Sequence, residues 1–109
     1  MSIYELIKNT VKSLDIECYY SAAESRLDNY AIYSVDTESE TEHFDNKNFA
    51  IEYNVSIKYF YKKPNQMMKY REIINAMKKN GFSFITAYDD GKKDPYYIKE
   101  MEFVYVNII

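Results

Sequence analysis

The sequence predicts a single α+β domain spanning residues 1–109, in which two helices flank a mixed, mostly antiparallel sheet in the order α-β-β-β-α-β-β. Three observations support this prediction. The chain has 109 residues, which suits one domain with one core. Two segments repeat apolar residues at helical spacing, and a long central segment alternates apolar and polar residues as a strand does.

The first helix and the first strand are predicted from a capping pattern and from residue composition. Ser2 and Glu5 have the S-x-x-E spacing of a helix-capping box, and apolar residues follow at helical spacing, so a helix is predicted over 2–14. The β-branched and aromatic run IECYYS, residues 16–21, predicts a short strand. Residues 22–29 are predicted to form a loop or a single turn.

The middle of the chain has the clearest strand pattern. A second strand is predicted for YAIYSVDT, residues 30–37, and FAIEYNVSIKYFY, residues 49–61, then places bulky apolar residues at every odd position. This alternation is typical of a strand with one buried face. Because the run is longer than the usual strand of about 5–6 residues, we expect part of it to project beyond the main sheet.

A second helix is predicted after the break KKPNQ, with Asn65 as its capping residue. Its last turn is cationic, and Gly81 follows where a left-handed residue is wanted. The predicted apolar face comprises Met67, Tyr70, Ile73, Ile74 and Met77.

A closing hairpin is predicted from three consecutive segments. These are the strand FSFITAY, the turn DDGKKDP over residues 89–95, and the strand YYIKEMEFVYVNII. Asp89, Asp90 and Asp94 lack the spacing of a calcium-binding loop, so we interpret them as turn residues.

Composition argues against several classes of function. The net charge is −3 and the cations are spread along the chain, which works against free nucleic-acid binding. Cys18 and His43 are the only residues of their types, so no internal disulfide forms, and a His/Cys metal cluster or a Ser-His-Asp set within one chain would have no spare member. Two glycines cannot build a Gly-rich phosphate loop. We therefore expect no enzyme activity, no cofactor, no small-molecule substrate and a buried, structural Cys18.

The N-terminus lacks the features of a signal peptide, and no apolar run approaches the length of about 20 residues that spans a bilayer. We therefore expect a cytosolic protein that does not enter a membrane. The cations around the second helix are interpreted as a solvated face in preference to a nucleic-acid surface. They are Lys62, Lys63, Lys69, Arg71, Lys78 and Lys79.

The segment SVDTESETEHFDNKNFAIEY, residues 34–53, is the one strongly acidic stretch. It contains Asp36, Glu38, Glu40, Glu42 and Asp45. If the chain is extended here, the three glutamates share one face. His43 with its acidic neighbours is a weak candidate for a cation site and is set aside because the segment looks flexible. Two interpretations stay open: a solvated hairpin tip, or an arm that meets basic groups on another subunit or repels DNA from a passage.

The chain resembles the small tail-terminator and tail-completion proteins of long-tailed phages, prophages and phage-tail-like bacteriocins. The resemblance covers residues 3–106 and rests on the element order, the strand AIEYNVSIKYFYK and the helix end AMKKNGF followed by the closing hairpin. Gly81-Phe82 and Tyr88-Asp89-Asp90 fit the family's helix–Gly–Phe–hairpin unit.

This resemblance implies a structural subunit that closes into a six-membered ring, caps the tail tube and joins it to the neck or head. The implied partners are further copies of the chain, the tube protein, and sheath or neck proteins, with DNA only as cargo passing through the lumen. The implied location is the bacterial cytoplasm during assembly and then the virion or tail-like particle.

The resemblance places the working surfaces at residues 37–48 and 89–95. The acidic stretch is then expected to be disordered in the monomer and ordered in the assembly. The candidate interface residues are Asp36, Glu38, Glu40, Glu42, Phe44, Asp45, Asp89, Asp90 and Lys92. A head–tail connector and a soluble monomeric or dimeric binding protein are the alternative functions.

Overall fold

The computed structural model describes residues 2–22, 27–42 and 49–108. The helices are α1 (Ile3–Lys12) and α2 (Lys69–Lys79), and the strands are β1 (Cys18–Tyr20), β2 (Asn29–Glu42), β3 (Phe49–Tyr61), β4 (Ser83–Lys93) and β5 (Tyr96–Ile108). The strands form one sheet in the order β1-β2-β3-β5-β4. β1 is parallel to β2 and every other neighbouring pair is antiparallel. The predicted fold class and element order are confirmed.

Both helices pack on one face of the sheet, here called the helix-covered face. The odd positions of β3 that the alternation predicted as buried, Val55, Ile57 and Tyr59, are at most 1% exposed. They form one core with Ile7 of α1 and Met77 of α2. Burial of this shared apolar surface fixes the helices to the sheet.

The opposite face, here called the open face, carries a smaller cluster near one end of the strands. The rings of Tyr30 and Phe60 stack with centroids 4.6 Å apart, and Tyr96 meets Tyr30 edge-on at 5.1 Å. Tyr96 also donates a hydrogen bond to the carbonyl of Leu27, at 2.7 Å. The aromatic cluster therefore ties β5 to the chain entering β2.

Three strands continue beyond the point where β4 begins at Ser83, which pairs with Val104. Residues 38–42 of β2, 49–53 of β3 and 105–108 of β5 stay paired there, and we call this part the strand extension. The molecule is accordingly elongated, measuring 50 × 24 × 22 Å. The expectation that β3 projects beyond the main sheet is confirmed.

The predicted start of the first helix is confirmed, but that of the second is wrong. Ser2 caps α1 by accepting a hydrogen bond from the backbone N–H of Glu5, at 3.2 Å. Asn65 does not cap α2, because it lies within a short 3-10 turn (Pro64–Gln66), and the helix begins only at Lys69. Met67 therefore lies before the helix and is 40% exposed instead of joining its apolar face.

The end of α2 follows the prediction. Gly81 has φ +93°, in the left-handed region that favours glycine. Its N–H donates to the carbonyl of Lys78 and the N–H of Phe82 donates to that of Met77, both at 3.1 Å. These two bonds define a Schellman motif, and Phe82 and Met77 then enter the same core.

The closing hairpin is tighter than predicted. β4 runs on through Lys93, which pairs with Tyr96, so Asp94 and Pro95 form the turn, joined by a cis peptide bond. The predicted turn over residues 89–95 is therefore wrong in extent. A bulge between Asp89 and Lys92 takes up the extra residues of the glycine-containing segment.

Candidate functional site

The acidic stretch forms an ordered strand as far as Glu42. Glu38 lies opposite Tyr53 and Glu40 opposite Ile51, so both glutamates share the helix-covered side of the strand extension. The expectation that the glutamates share one face is confirmed for Glu38 and Glu40. The expectation that the stretch is disordered in the monomer is wrong for residues 36–42. Phe44, Asp45 and His43 lie outside the described residues.

A β-bulge at Asp36 decides which face the glutamates occupy. Before it, Val35 pairs with Val55 on the helix-covered face, and after it the pairing resumes at Thr37 with Asn54. One extra residue exchanges the faces of all residues that follow. The Asp36 carboxylate accepts hydrogen bonds from the hydroxyls of Ser34, at 2.7 Å, and Ser56. Asp36 thus belongs to the open face, apart from Glu38 and Glu40.

A crevice of about 450 Å³ lies where α1 meets the strand extension. Tyr4, Glu38, Tyr53 and Tyr105 contribute to its lining, and the rings of Tyr53 and Tyr105 are 6.5 Å apart. Burial raises the pKa of the Tyr53 hydroxyl, and the negative charge of Glu38 adds to this shift. No sequence motif pointed to this crevice, since it joins residues about 100 positions apart in the chain.

The second predicted surface comprises Asp89, Asp90 and Lys92, which are spread along the closing hairpin. Each of these residues already forms an ion pair within the chain. Asp89 meets Lys99 at 3.3 Å, Asp90 meets Lys58 at 3.7 Å, and Lys92 meets Asp94 at 3.1 Å. Asp89 pairs with Lys99 of β5, and Lys99 pairs with Tyr59 of β3. Tyr59 is near the end of β3 that is far from the strand extension. The structure therefore does not bring the two sets of predicted interface residues together within one chain.

The open face has a charged centre around Lys58. Its ammonium group lies 3.8 Å from Glu100 and 3.7 Å from Asp90. Burial raises the pKa of the Glu100 carboxyl, Lys58 opposes that shift, and the negative charges of Glu102 and Asp36 add to it. The part of the open face around Lys58 is therefore polar and mainly acidic, and it lies beside the aromatic cluster.

A groove of about 510 Å³ runs between α2 and β4, and we call it the α2–β4 groove. Phe84 and Ile85 form part of its floor, while Arg71 and Lys78 of α2 lie at its rim. Arg71, Lys78 and Lys79 are exposed, as expected for a solvated face, but the apolar surface beside them was not predicted. The spacing of apolar residues in α2 does not reveal this apolar surface, because Phe84 and Ile85 of β4 supply it.

Two features of the described residues bear on metal binding and on the reactivity of the thiol. Within residues 2–22, 27–42 and 49–108, no group of three or more His, Cys, Asp or Glu side chains is placed to hold a metal ion. Cys18 is buried, and burial raises the pKa of its thiol to about 12. The thiol is therefore protonated at neutral pH, as a structural cysteine would be. No helix in the described part of the chain is long and apolar enough to cross a membrane.

Comparison with known proteins does not extend this description. No protein-family model matches the chain, and no curated protein matches it either.

Proposed function

We propose that the chain is a structural subunit of a phage-type tail, and that its copies close into a ring that caps the tail tube and joins it to the neck or head. The proposal combines the resemblance of the sequence with one structural observation. That observation is the charged strand extension, which projects from an otherwise compact sheet and exposes glutamates on one side.

The edges of the sheet support an assembly role. β1 covers β2 only at residues 31–33, and β4 is the last strand at the other side of the sheet in the described chain. Exposed strand edges favour association with further chains. A closed ring joins two different edges of neighbouring copies and prevents open-ended growth. The two unlike edges of this sheet are suited to such a head-to-tail arrangement.

The charge distribution supports passage of DNA without capture. The open face carries Asp36, Glu100 and Glu102 around Lys58, and Glu52 adds a carboxylate on the same face of the strand extension. Carboxylates repel the phosphate backbone, so such a surface would let DNA slide through a lumen. We propose no catalytic step, since the work of the ring is to bind and to terminate polymerisation.

The proposal predicts a gene for a tail-tube protein near the gene of this chain, and it is tested on tail tubes assembled from that protein. The purified protein is added during polymerisation, and tube lengths and tube ends are measured by negative-stain electron microscopy. We expect shorter tubes that carry a ring at one end, with mass measured by light scattering giving the number of copies. Tubes of unchanged length without end density would refute tail termination. Binding to neck or portal assemblies in place of tubes would support the head–tail connector.

A further inference from the structure

The α2–β4 groove has the character of a docking site. Phe84 is 38% exposed although its ring lies 5.8 Å from that of the buried Phe103, and Ile85 is 57% exposed. Arg71 and Lys78 on the rim are exposed, and among the described residues neither forms an ion pair. An apolar floor with unpaired cations along its rim suits an apolar segment that carries carboxylates.

The strand extension has the complementary chemistry. Glu38 and Glu40 are exposed, and neither has an ion-pair partner in the part of the chain that the structure describes. Their cross-strand neighbours are Tyr53 and Ile51, and Phe49 beyond them is 56% exposed. Carboxylates thus lie beside apolar side chains on one surface, as cations lie beside apolar side chains in the groove.

We propose that the α2–β4 groove of one copy holds the strand extension of a second copy. The contact rests on the proposed function, because it specifies how neighbouring subunits of the ring meet. Glu38 and Glu40 of the incoming copy face Arg71 and Lys78 of the receiving copy. The apolar surface around Phe49 covers Ile85.

The spacing of the charges agrees with this contact. Glu38 and Glu40 are two strand residues apart, which is about 7 Å. Arg71 and Lys78 are seven helix residues apart, which is about 10 Å along the axis. The difference of about 3 Å is within the reach of flexible Arg and Lys side chains.

Within one chain, the strand that carries Glu38 and Glu40 is three strands away from β4. β3 and β5 separate β2 from β4 in the sheet, and the strand extension projects away from the end at which β4 begins. The contact is therefore between unlike surfaces of two copies, which is the kind that closes rings. Side chains should dominate the contact, because two bulges in β4 interrupt the edge that backbone pairing would need.

Reciprocal charge reversal tests the contact. One variant carries Glu38→Lys with Glu40→Lys, and another carries Arg71→Glu with Lys78→Glu. A matched control carries Lys12→Glu with Glu17→Lys, which changes exposed charges on α1 and before β1. Self-association is measured by sedimentation over a concentration series, and folding of each variant is checked by thermal unfolding.

We expect each reversed variant to lose self-association by at least about tenfold at low salt, while the control matches the wild type. An equimolar mixture of the two reversed variants should recover assembly, because each altered groove then meets an altered extension. A chain that combines all four substitutions should recover it as well. Wild-type association should weaken as salt is raised.

Unchanged association in both reversed variants, or failure of both the mixture and the fourfold variant to recover it, would overturn the proposal. A wild-type chain that stays monomeric at its highest soluble concentration would overturn it too, and the tube assay would still decide the proposed function. Conversely, recovery by charge exchange in a ring that ignores tail tubes would retain this contact and refute tail termination.

Discussion

At the scale of single residues, Cys18 shows how burial fixes chemical behaviour. Its side chain is 1% exposed, and burial raises the pKa of the thiol to about 12. We expect native Cys18 to react with a thiol reagent at least about a hundredfold more slowly than in denaturant, since reaction requires opening of the fold. The measurement is the labelling rate at neutral pH.

The control for this labelling is Ser39→Cys in a Cys18→Ala chain, because Ser39 is exposed in the strand extension. It should react rapidly in the folded protein. Equal rates for Cys18 and this surface cysteine would show that β1 does not stay packed against α1.

Glu100 predicts a pH dependence of stability. Burial raises the pKa of its carboxyl above the ordinary value of 4.5. Between that value and the raised one, the folded state binds more protons than the unfolded state, so the free energy of unfolding falls as pH rises. Glu100→Gln should remove this decrease and make the variant more stable than the wild type above the raised pKa.

Denaturant unfolding at a series of pH values measures the effect of Glu100→Gln. Lys58→Met is the informative companion, because Lys58 opposes the shift of the Glu100 pKa. Its removal should extend the decrease in stability to higher pH. Identical pH profiles for the wild type and Glu100→Gln would contradict the environment described for this carboxyl.

At the scale of elements, the junction of α2 and β4 depends on Gly81. A Cβ added at this position would lie 3.4 Å from the ring of Tyr105, and the backbone has φ +93°. Gly81→Ala should therefore lower the free energy of unfolding by about 1–2 kcal/mol, mainly through backbone strain. Urea unfolding monitored by circular dichroism measures the change.

Gly81→Asn separates backbone strain from crowding, since asparagine adopts left-handed backbone more readily than alanine. Gly81→Asn should lower the free energy of unfolding by less than Gly81→Ala does if backbone strain dominates. If contact with Tyr105 dominates, it should lower that free energy by at least as much. Gly91→Ala is a matched control, with φ +79° and no atom within 4 Å of the added Cβ. A fully stable Gly81→Ala would contradict the Schellman geometry.

The sequence predicted those helices and strands whose bounds are set by neighbouring residues. The alternation of β3 identified its bounds, since the odd residues from Tyr53 to Tyr61 pack into one core, and Gly81 marked the end of α2. The start of α2 was missed, because a proline-containing 3-10 turn competes with helix initiation after Asn65. The bulge in β4 was missed for a similar reason, since Asp, Gly and Lys suit turns and bulges alike.

The candidate surfaces were only partly predictable. Alternation correctly placed Glu38 and Glu40 on one face, but a single extra residue at Asp36 decided which face that is. Nothing in the local sequence signals this choice. The α2–β4 groove and the crevice beside Tyr53 each join distant segments, so only the folded chain reveals them.

At the scale of the whole molecule, stability is unevenly distributed along the same strands. In β3, Val55, Ile57 and Tyr59 lie beneath the helices and are at most 1% exposed. In the strand extension, Phe49 is 56% exposed and Ile51 is partly exposed, although both segments have paired neighbours on each side. The two parts of β3 thus have similar backbone hydrogen bonding but unequal burial. We therefore expect the part beneath the helices to be more stable than the strand extension.

Hydrogen exchange of the amides tests this division. Amides in residues 49–53 should exchange at least about tenfold faster than those in residues 55–59, because local opening of the extension exposes little apolar surface. In the proposed ring, protection should rise in the extension and in the α2–β4 groove, where neighbouring copies are proposed to meet, while residues 55–59 stay unchanged. Equal exchange in the two halves of β3 would show that strand pairing alone sets their stability. Assembly that protects α1 in place of the extension would place the subunit contact on the other side of the molecule.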